Sequence, residues 1–352
     1  MVDAHPAASG SGFRARSVHA PIAALLSALL LAVSALAEPS DPRPLIVSGS
    51  GWITDAPTRL AAASGFFEDG TGRAIVVEVA ESGKASLEKM KAGRADFSLM
   101  AGVPLAMELL RLHDQGTPRH EWPVVLASIG FSDSTHHLIA GSGSGIEHAQ
   151  DLEGRTLGLL LGSSAHYCWD RFAEFSSIDP SSVRLVDLAP GHLEEALAAG
   201  RVDAVVTWTP YSERIVAGLG ADARRFPLET DSISWLLVST RAVIDENPAE
   251  IQRILQGYAR AIELLQDDPA RARQLLADPA GWEKSGRVSW KLALDWPVLF
   301  NIEQKLDWSA ALQGLENPQL RPRDYIDREP LQRFRPAAVT LPLWISEEGR
   351  DR

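Results

Sequence analysis

From Pro44 to about Ser239 the chain alternates short apolar runs with stretches in which apolar residues recur every three or four positions. The runs at residues 45–47, 74–80, 97–100, 124–129, 138–140, 156–161, 183–188, 204–207 and 234–239 are mostly bounded by Gly, Pro, Ser or Asp, which predicts buried strands. Between them, segments 58–63, 87–92 and 193–199 have helical spacing. They stop at Gly65, Gly93 and Gly200, placed where a helix C-terminus favours a left-handed residue. Such alternation predicts an α/β fold with parallel sheets and helical crossovers. After Pro248 the spacing turns helical over 249–266, 270–276 and 290–300, so a helical C-terminal tail is expected.

One pattern occurs twice. Ala92-Gly93-Arg94, Asp96, an apolar run and then Gly102-Val103-Pro104 returns as Ala199-Gly200-Arg201, Asp203, an apolar run and Trp208-Thr209-Pro210. Each copy follows a Leu- and Glu-bearing helix. The physical reading is helix, glycine cap, strand, loop at the strand's carboxyl end, and proline opening the next helix. Copies so far apart are no solenoid; they predict two lobes sharing a local topology. The 352 residues allow about two domains, with 44–132 and 236–345 expected as a discontinuous lobe one and 133–235 as lobe two.

The first 37 residues break the pattern. Arg14 and Arg16 precede an apolar run over 22–33, and Ala35-Leu36-Ala37 offers a small-x-small site before Glu38. This order predicts a secretory signal peptide cleaved after Ala37 and a periplasmic mature chain. The run is about half a bilayer span and no later stretch is longer and as apolar, so no membrane span is expected in the mature form. Cys168 is the sole cysteine, which excludes an intrachain disulfide and a cysteine-cluster metal site. A net charge of −12 without basic runs argues against nucleic acid as a partner.

In open α/β sheets, ligands sit beyond the carboxyl ends of strands. Five loops stand there: Gly51-Trp52, Ser82-Gly83, Ala101-Gly102, Ser163-Ser164 with His166, and Trp208 with Tyr211. The second and fourth open helices, where free N–H groups gather partial positive charge and hold an oxyanion without a buried lysine or arginine. Either serine could equally be a plain helix cap. Trp52, Trp208 and Tyr211 offer flat apolar walls with polar tips.

Other chemistry finds little support. His136 and His137 are adjacent on a strand and point to opposite faces, and His166 with Cys168 on a helix start is splayed, so no metal is expected. Near the crossing strands, a histidine at 136 or 137 reads as a hydrogen-bonded hinge residue. Nucleophile elbow, zincin helix and dinucleotide fingerprint are all missing from the sequence, and neither catalytic residues nor a cofactor are expected.

Leu152-Glu-Gly-Arg-Thr-Leu-Gly, Gly162-Ser-Ser-Ala-His-Tyr, Leu188-Ala-Pro, Ala196-Leu-Ala-Ala-Gly-Arg-Val-Asp-Ala and Trp208-Thr-Pro-Tyr together resemble the substrate-binding proteins of nitrate, sulfonate and taurine ABC importers. Ala61-Ala-Ala-Ser-Gly-Phe-Phe, Ser82-Gly-Lys-Ala, Lys91-Ala-Gly-Arg-Ala-Asp-Phe and Gly102-Val-Pro agree with this, so the resemblance covers about residues 44–265. It implies a two-lobed type II periplasmic-binding fold, two crossing strands, and a cleft closing on a small anionic or organic solute for an inner-membrane permease. A thiamine-related pyrimidine, a ligand sensor or a cleft enzyme are the alternatives on the same fold. Thr209 stands where many relatives have aspartate, and Trp52 is bulkier than is usual in the first loop, which leaves the solute open.

Overall fold

The computed structural model describes residues 43–141, 143–228, 232–276, 287–316, 318 and 320–342; the expected leader and its cleavage site lie outside them. The chain divides at Arg43, and everything below concerns the body from Pro44 onward.

Two sheets organise the body. The first takes strands β1 (Leu45–Ser50), β2 (Ile75–Ala80), β3 (Phe97–Ala101) and β4 (Pro123–Ser132). The second takes β5 (His136–Ala140), β6 (Thr156–Leu159), β7 (Arg184–Asp187), β8 (Ala204–Trp208) and β9 (Arg224–Pro227). The chain then returns to the first sheet with β10 (Ile233–Thr240) and β11 (Val288–Ser289), giving orders β11-β4-β10-β3-β1-β2 and β7-β6-β8-β5-β9. The parallel core is as expected: β1 pairs with β2 and β3, and β6 with β7 and β8. The rest is antiparallel, because the strands that cross between sheets arrive from the opposite end. The first crossing falls at 133–135, and the chain is back in the first sheet by Ile233, so β10 begins a few residues before the expected return to lobe one.

The repeated motif has one structural cause. Gly93 and Gly200 both adopt left-handed φ, 66° and 67°, at helix ends. The next N–H, of Arg94 or Arg201, closes a six-residue turn onto the carbonyl of Lys89 or Ala196 at 2.9 Å. The aspartate then tethers the neighbouring parallel strand. Asp96 Oδ2 accepts from the Ile46 amide at 2.7 Å, and Asp203 Oδ2 accepts from the Thr156 amide at 2.8 Å. Each strand so started, β3 and β8, is buried along its whole length.

Helices α1 (Ala56–Ala63), α2 (Gly83–Lys91) and α3 (Gly102–Asp114) follow strands of the first sheet. Helices α4 (Ser164–Phe175), α5 (Leu193–Ala198) and α6 (Tyr211–Leu219) belong with the second. The tail is helical as expected: α7 (Arg241–Glu246), α8 (Pro248–Asp267), α9 (Pro269–Leu276), α10 (Trp296–Leu312), α11 (Pro322–Tyr325) and α12 (Glu329–Phe334). The helix expected over 290–300 is displaced. Ala293 instead exchanges backbone hydrogen bonds with Ser128 at 2.9 and 3.0 Å. The helix waits for Asp295, which caps it by accepting from the Val298 amide, and for Pro297 in its first turn. Its middle pins the second crossing: Asn301 accepts from the Ser234 amide at 3.3 Å and donates to the Ser232 carbonyl.

Candidate functional site

The carboxyl ends of β1 and β3, the loop after β2 and the loops after β6 and β8 converge on a narrow cavity of about 10 Å³ between the sheets. Of the residues singled out in the sequence, Trp52, Ser82, Gly83 and Ala101 line it from the first sheet. Ser163, Ser164 and Trp208 line it from the second. Ser50, Lys84, Pro104 and Trp235 complete the wall. Gly51, Gly102, His166 and Tyr211 do not line it. A side chain at Gly102 would face Asn301 and Lys305 of α10. Tyr211 donates its hydroxyl to the Glu81 carbonyl at 3.2 Å, a bond that ties the two lobes together at the rim.

His166 occupies the third turn position after the Ser163 cap, and the helix rotates it out of the cavity. Its ring stands edge-on to Trp308 of α10, 5.2 Å between centroids. Trp308 in turn donates to Asp170 Oδ2 at 3.0 Å. Burial lowers the His166 pKa and raises that of Asp170. Those contacts bind the tail helix to α4.

The cavity is rich in backbone donors. Ser82 caps α2 by accepting from the Ala85 amide, and Ser163 caps α4 by accepting from the Ala165 amide, both at 3.1 Å. The amides of Gly83 and Lys84, and that of Ser164, which lie between each cap and the amide it binds, meet no acceptor among the described residues. They carry the positive ends of two helix dipoles to one place. The Trp52 indole N–H is buried and likewise has no acceptor.

The serines differ in what they have left to offer. Ser163 also donates to the Leu160 carbonyl at 2.7 Å, so its hydroxyl is fully engaged within its own turn. Ser163→Ala should therefore cost about 1 kcal/mol of stability, the usual value of a lost cap, and leave solute affinity within twofold. Urea unfolding and titration of the variant check both numbers. Ser164 Oγ shares a 2.8 Å hydrogen bond with His136 Nε2. Burial, and then the neighbouring His137, hold His136 down to about 3, so this imidazole is neutral and the bond joins two uncharged groups. His136 lies between lobes, its ring 5.7 Å from Trp52 and 5.9 Å from Trp208.

Charge in the wall is one-sided. Lys84 is the only lining residue with a formal charge. Its Nζ donates to the Leu161 carbonyl at 2.9 Å, crossing from α2 to the loop after β6. A half-buried lysine, which the sequence reading did not single out, thus stands beside the two helix N-termini. The signal was in the sequence, since Lys84 follows Ser82-Gly83 directly and a residue in that turn must face the same space. Pro104 was equally within the repeated motif, whereas Ser50 and Trp235 sit on strands whose facing could not be read from apolar runs.

Asp55 lies behind the cavity floor, fully buried, with its carboxylate accepting from the Ser50 amide and the Thr58 hydroxyl. Burial pushes it up to about 6, against Thr58, the Ser50 amide and the Trp235 indole, which hold it down. Oδ2 holds the Ser50 amide at the end of β1 and Oδ1 the Thr58 hydroxyl in α1, so the carboxyl ties the first loop to that helix. Among the described residues no group of His, Cys, Asp or Glu is placed to hold a metal, and no helix is long and apolar enough to cross a membrane.

Three solved structures place this geometry among known folds. The alkanesulfonate-binding protein SsuA from Xanthomonas axonopodis pv. citri, bound to MOPS, matches with a TM-score of 0.67 at 20% identity, over 83% of this chain and 99% of that one. The periplasmic nitrate-binding protein NrtA from Synechocystis PCC 6803 matches at 0.62 and 10% identity, over 89% and 93%. The desulfurization enzyme DSZB matches at 0.58 and 16% identity, over 83% and 98%. The fold is therefore the two-lobed type II periplasmic-binding fold, which carries both receptors and an enzyme. No curated protein matches the chain by sequence. The family model described as NMT1/THI5 like matches residues 53–272. With most of the two-sheet body inside that match, the chain belongs to the NMT1/THI5-like family.

Proposed function

We propose that this protein is the periplasmic solute-binding component of an ABC importer of the nitrate and sulfonate type. It captures a small oxyanion between its lobes and presents the closed form to an inner-membrane permease. The observation that carries this reading is the meeting of two helix N-termini from different sheets around one cavity with Lys84 as its single formal charge. In this form the cavity, about 10 Å³, holds little more than one water molecule, so the lobes part to admit a solute. Residues 44–132 with 236–345 form one moving body and 133–235 the other, joined by the crossing segments. Closure removes water from the free amides, so that each donor counts for more. Gly83, Ser164 and the Trp52 indole supply hydrogen bonds, Lys84 supplies charge, and Trp208 closes the wall. A leader cleaved after Ala37 delivers the chain to the periplasm.

Two side chains support binding without turnover. Asp55, behind the floor, is spent on Ser50 and Thr58, and His136 is held neutral and paired with Ser164. The test is thermal unfolding of the chain from Glu38 onward with nitrate, alkanesulfonates, taurine and a pyrimidine, followed by recovery of the ligand. A melting temperature that climbs with anion concentration and a ligand recovered intact support the receptor. No change with any anion, or a ligand recovered as product, overturns it. Lys84→Met should weaken anion binding about tenfold, the loss of one charge-assisted contact, while leaving the melting temperature of the free protein nearly unchanged.

A further inference from the structure

We infer that helix α10 is a clasp between the lobes: Trp308 and Lys305, carried with lobe one, grip α4 of lobe two in the closed form and so help set the affinity for every solute alike. This rests on the receptor reading above, in which the lobes part and rejoin, and adds to it a part played by residues outside the cavity. Helix α10 is fixed to the first sheet near its start. Asn301 accepts from the Ser234 amide at 3.3 Å and donates to the Ser232 carbonyl, and the helix packs along α3. A Cβ at Gly102, the first residue of α3, would lie 3.5 Å from Lys305 Cγ. Positions 301, 305 and 308 fall on one face of a helix, so the face that is anchored to lobe one also carries Trp308.

Three contacts on that face reach α4. The Trp308 indole donates to Asp170 Oδ2 at 3.0 Å. Its ring stands edge-on to His166 and Tyr167, with centroids 5.2 and 5.4 Å apart, a favoured geometry for aromatic pairs. The Lys305 ammonium lies 4.1 Å over the Tyr167 ring, on a side chain that is fully buried, where a cation–π contact counts for more than at the surface. None of Asp170, His166, Tyr167, Lys305 and Trp308 lines the cavity. They differ in this from Lys84, whose bond to the Leu161 carbonyl also crosses between lobes but lies in the wall itself. Since α4 carries the free Ser164 amide in its first turn, parting the lobes for a solute draws α4 away from Trp308. In the open form water hydrates both the indole N–H and the carboxylate. In the closed form each depends on the other, so losing one partner penalises closure alone. A smaller closed fraction raises the apparent Kd of every solute by the same factor.

The experiment is titration of the mature protein with nitrate, ethanesulfonate and taurine, by calorimetry for affinity and by stopped-flow tryptophan fluorescence for rates. Trp308→Phe keeps the ring and removes the donor. It should raise the Kd of each anion that binds by about tenfold, the worth of one hydrogen bond to a charged group. The increase should appear in the dissociation rate, with association nearly unchanged, because the clasp forms after encounter. Asp170→Ala added to Trp308→Phe should restore part of the loss by removing the stranded carboxylate. Trp296→Phe, on the exposed face of the same helix, should change nothing and controls for the packing of the tail. Kd values unmoved by Trp308→Phe, or moved equally by Trp296→Phe, overturn the clasp and leave the receptor standing. Failure of every anion to bind the unmodified protein overturns both.

Discussion

Gly83→Ala is expected to destabilise the protein by about 2 kcal/mol, within the ~1–3 kcal/mol usual for overpacking, and to weaken solute binding more than tenfold. Gly51→Ala should change neither measurably. The two glycines stand at corresponding places, each in a loop at the carboxyl end of a first-sheet strand, and neither has a left-handed φ. Their surroundings separate them. A Cβ at Gly83 would lie 2.8 Å from the Met100 Cα and 3.1 Å from the Trp235 ring. The backbone of β3 is held by pairing on both sides and cannot yield. Helix α2 must therefore back away, carrying the free Gly83 and Lys84 amides and the Lys84 side chain with it. At Gly51 a Cβ would meet nothing within 4 Å. Urea unfolding and ligand titration of the two variants give the comparison. Equal behaviour would mean that α2 is not seated by its close approach to β3, and that its first turn does not form the anion-facing wall.

That contrast also marks how far the chain could be read from its letters. The repeated Ala-Gly-Arg-x-Asp pattern exposed two lobes because its cause is local: a helix end, a left-handed glycine and an aspartate that reaches the adjacent strand. The strand-end loops followed from the same logic, and most of the residues picked from them meet at the cavity. What could not be read was set by partners distant in sequence. His166 is turned away by Trp308, and Tyr211 is taken up by Glu81 on the other lobe. Trp235 belongs to a strand whose two faces are both buried, so alternation gave no facing. The tail helix was misplaced because its Ala-, Leu- and Trp-bearing lead-in has helical composition, while the tertiary pairing of Ala293 with Ser128 draws it into extended backbone.

Acidification from pH 7 to pH 5 is expected to cost about 3 kcal/mol of folding stability, at 1.36 kcal/mol for each proton and pH unit. His136 and His137 are the main cause. Burial holds both down to about 3, assisted by His137 for the first and Arg225 for the second. Each starts from 6.5 in the unfolded chain. A base with a lowered folded pKa contributes its full stability above the unfolded value and loses it as the pH falls from 6.5 toward 3. Each histidine therefore gives up about 2 kcal/mol by pH 5. Asp55 works the other way. Its carboxyl rises from 3.8 to about 6 on folding, so the folded state takes up a proton first, and between pH 6 and 3.8 acid stabilises it. Down to pH 5 that offset is about 1 kcal/mol. His136→Gln should flatten the loss by about 2 kcal/mol, and Asp55→Asn should steepen it by about 1 kcal/mol, an opposition that general acid unfolding does not produce. Urea unfolding of the three proteins at pH 7, 6 and 5 measures it. Parallel pH profiles for all three would show that neither the His136–Ser164 contact nor the carboxyl behind Ser50 governs the acid response of the cavity.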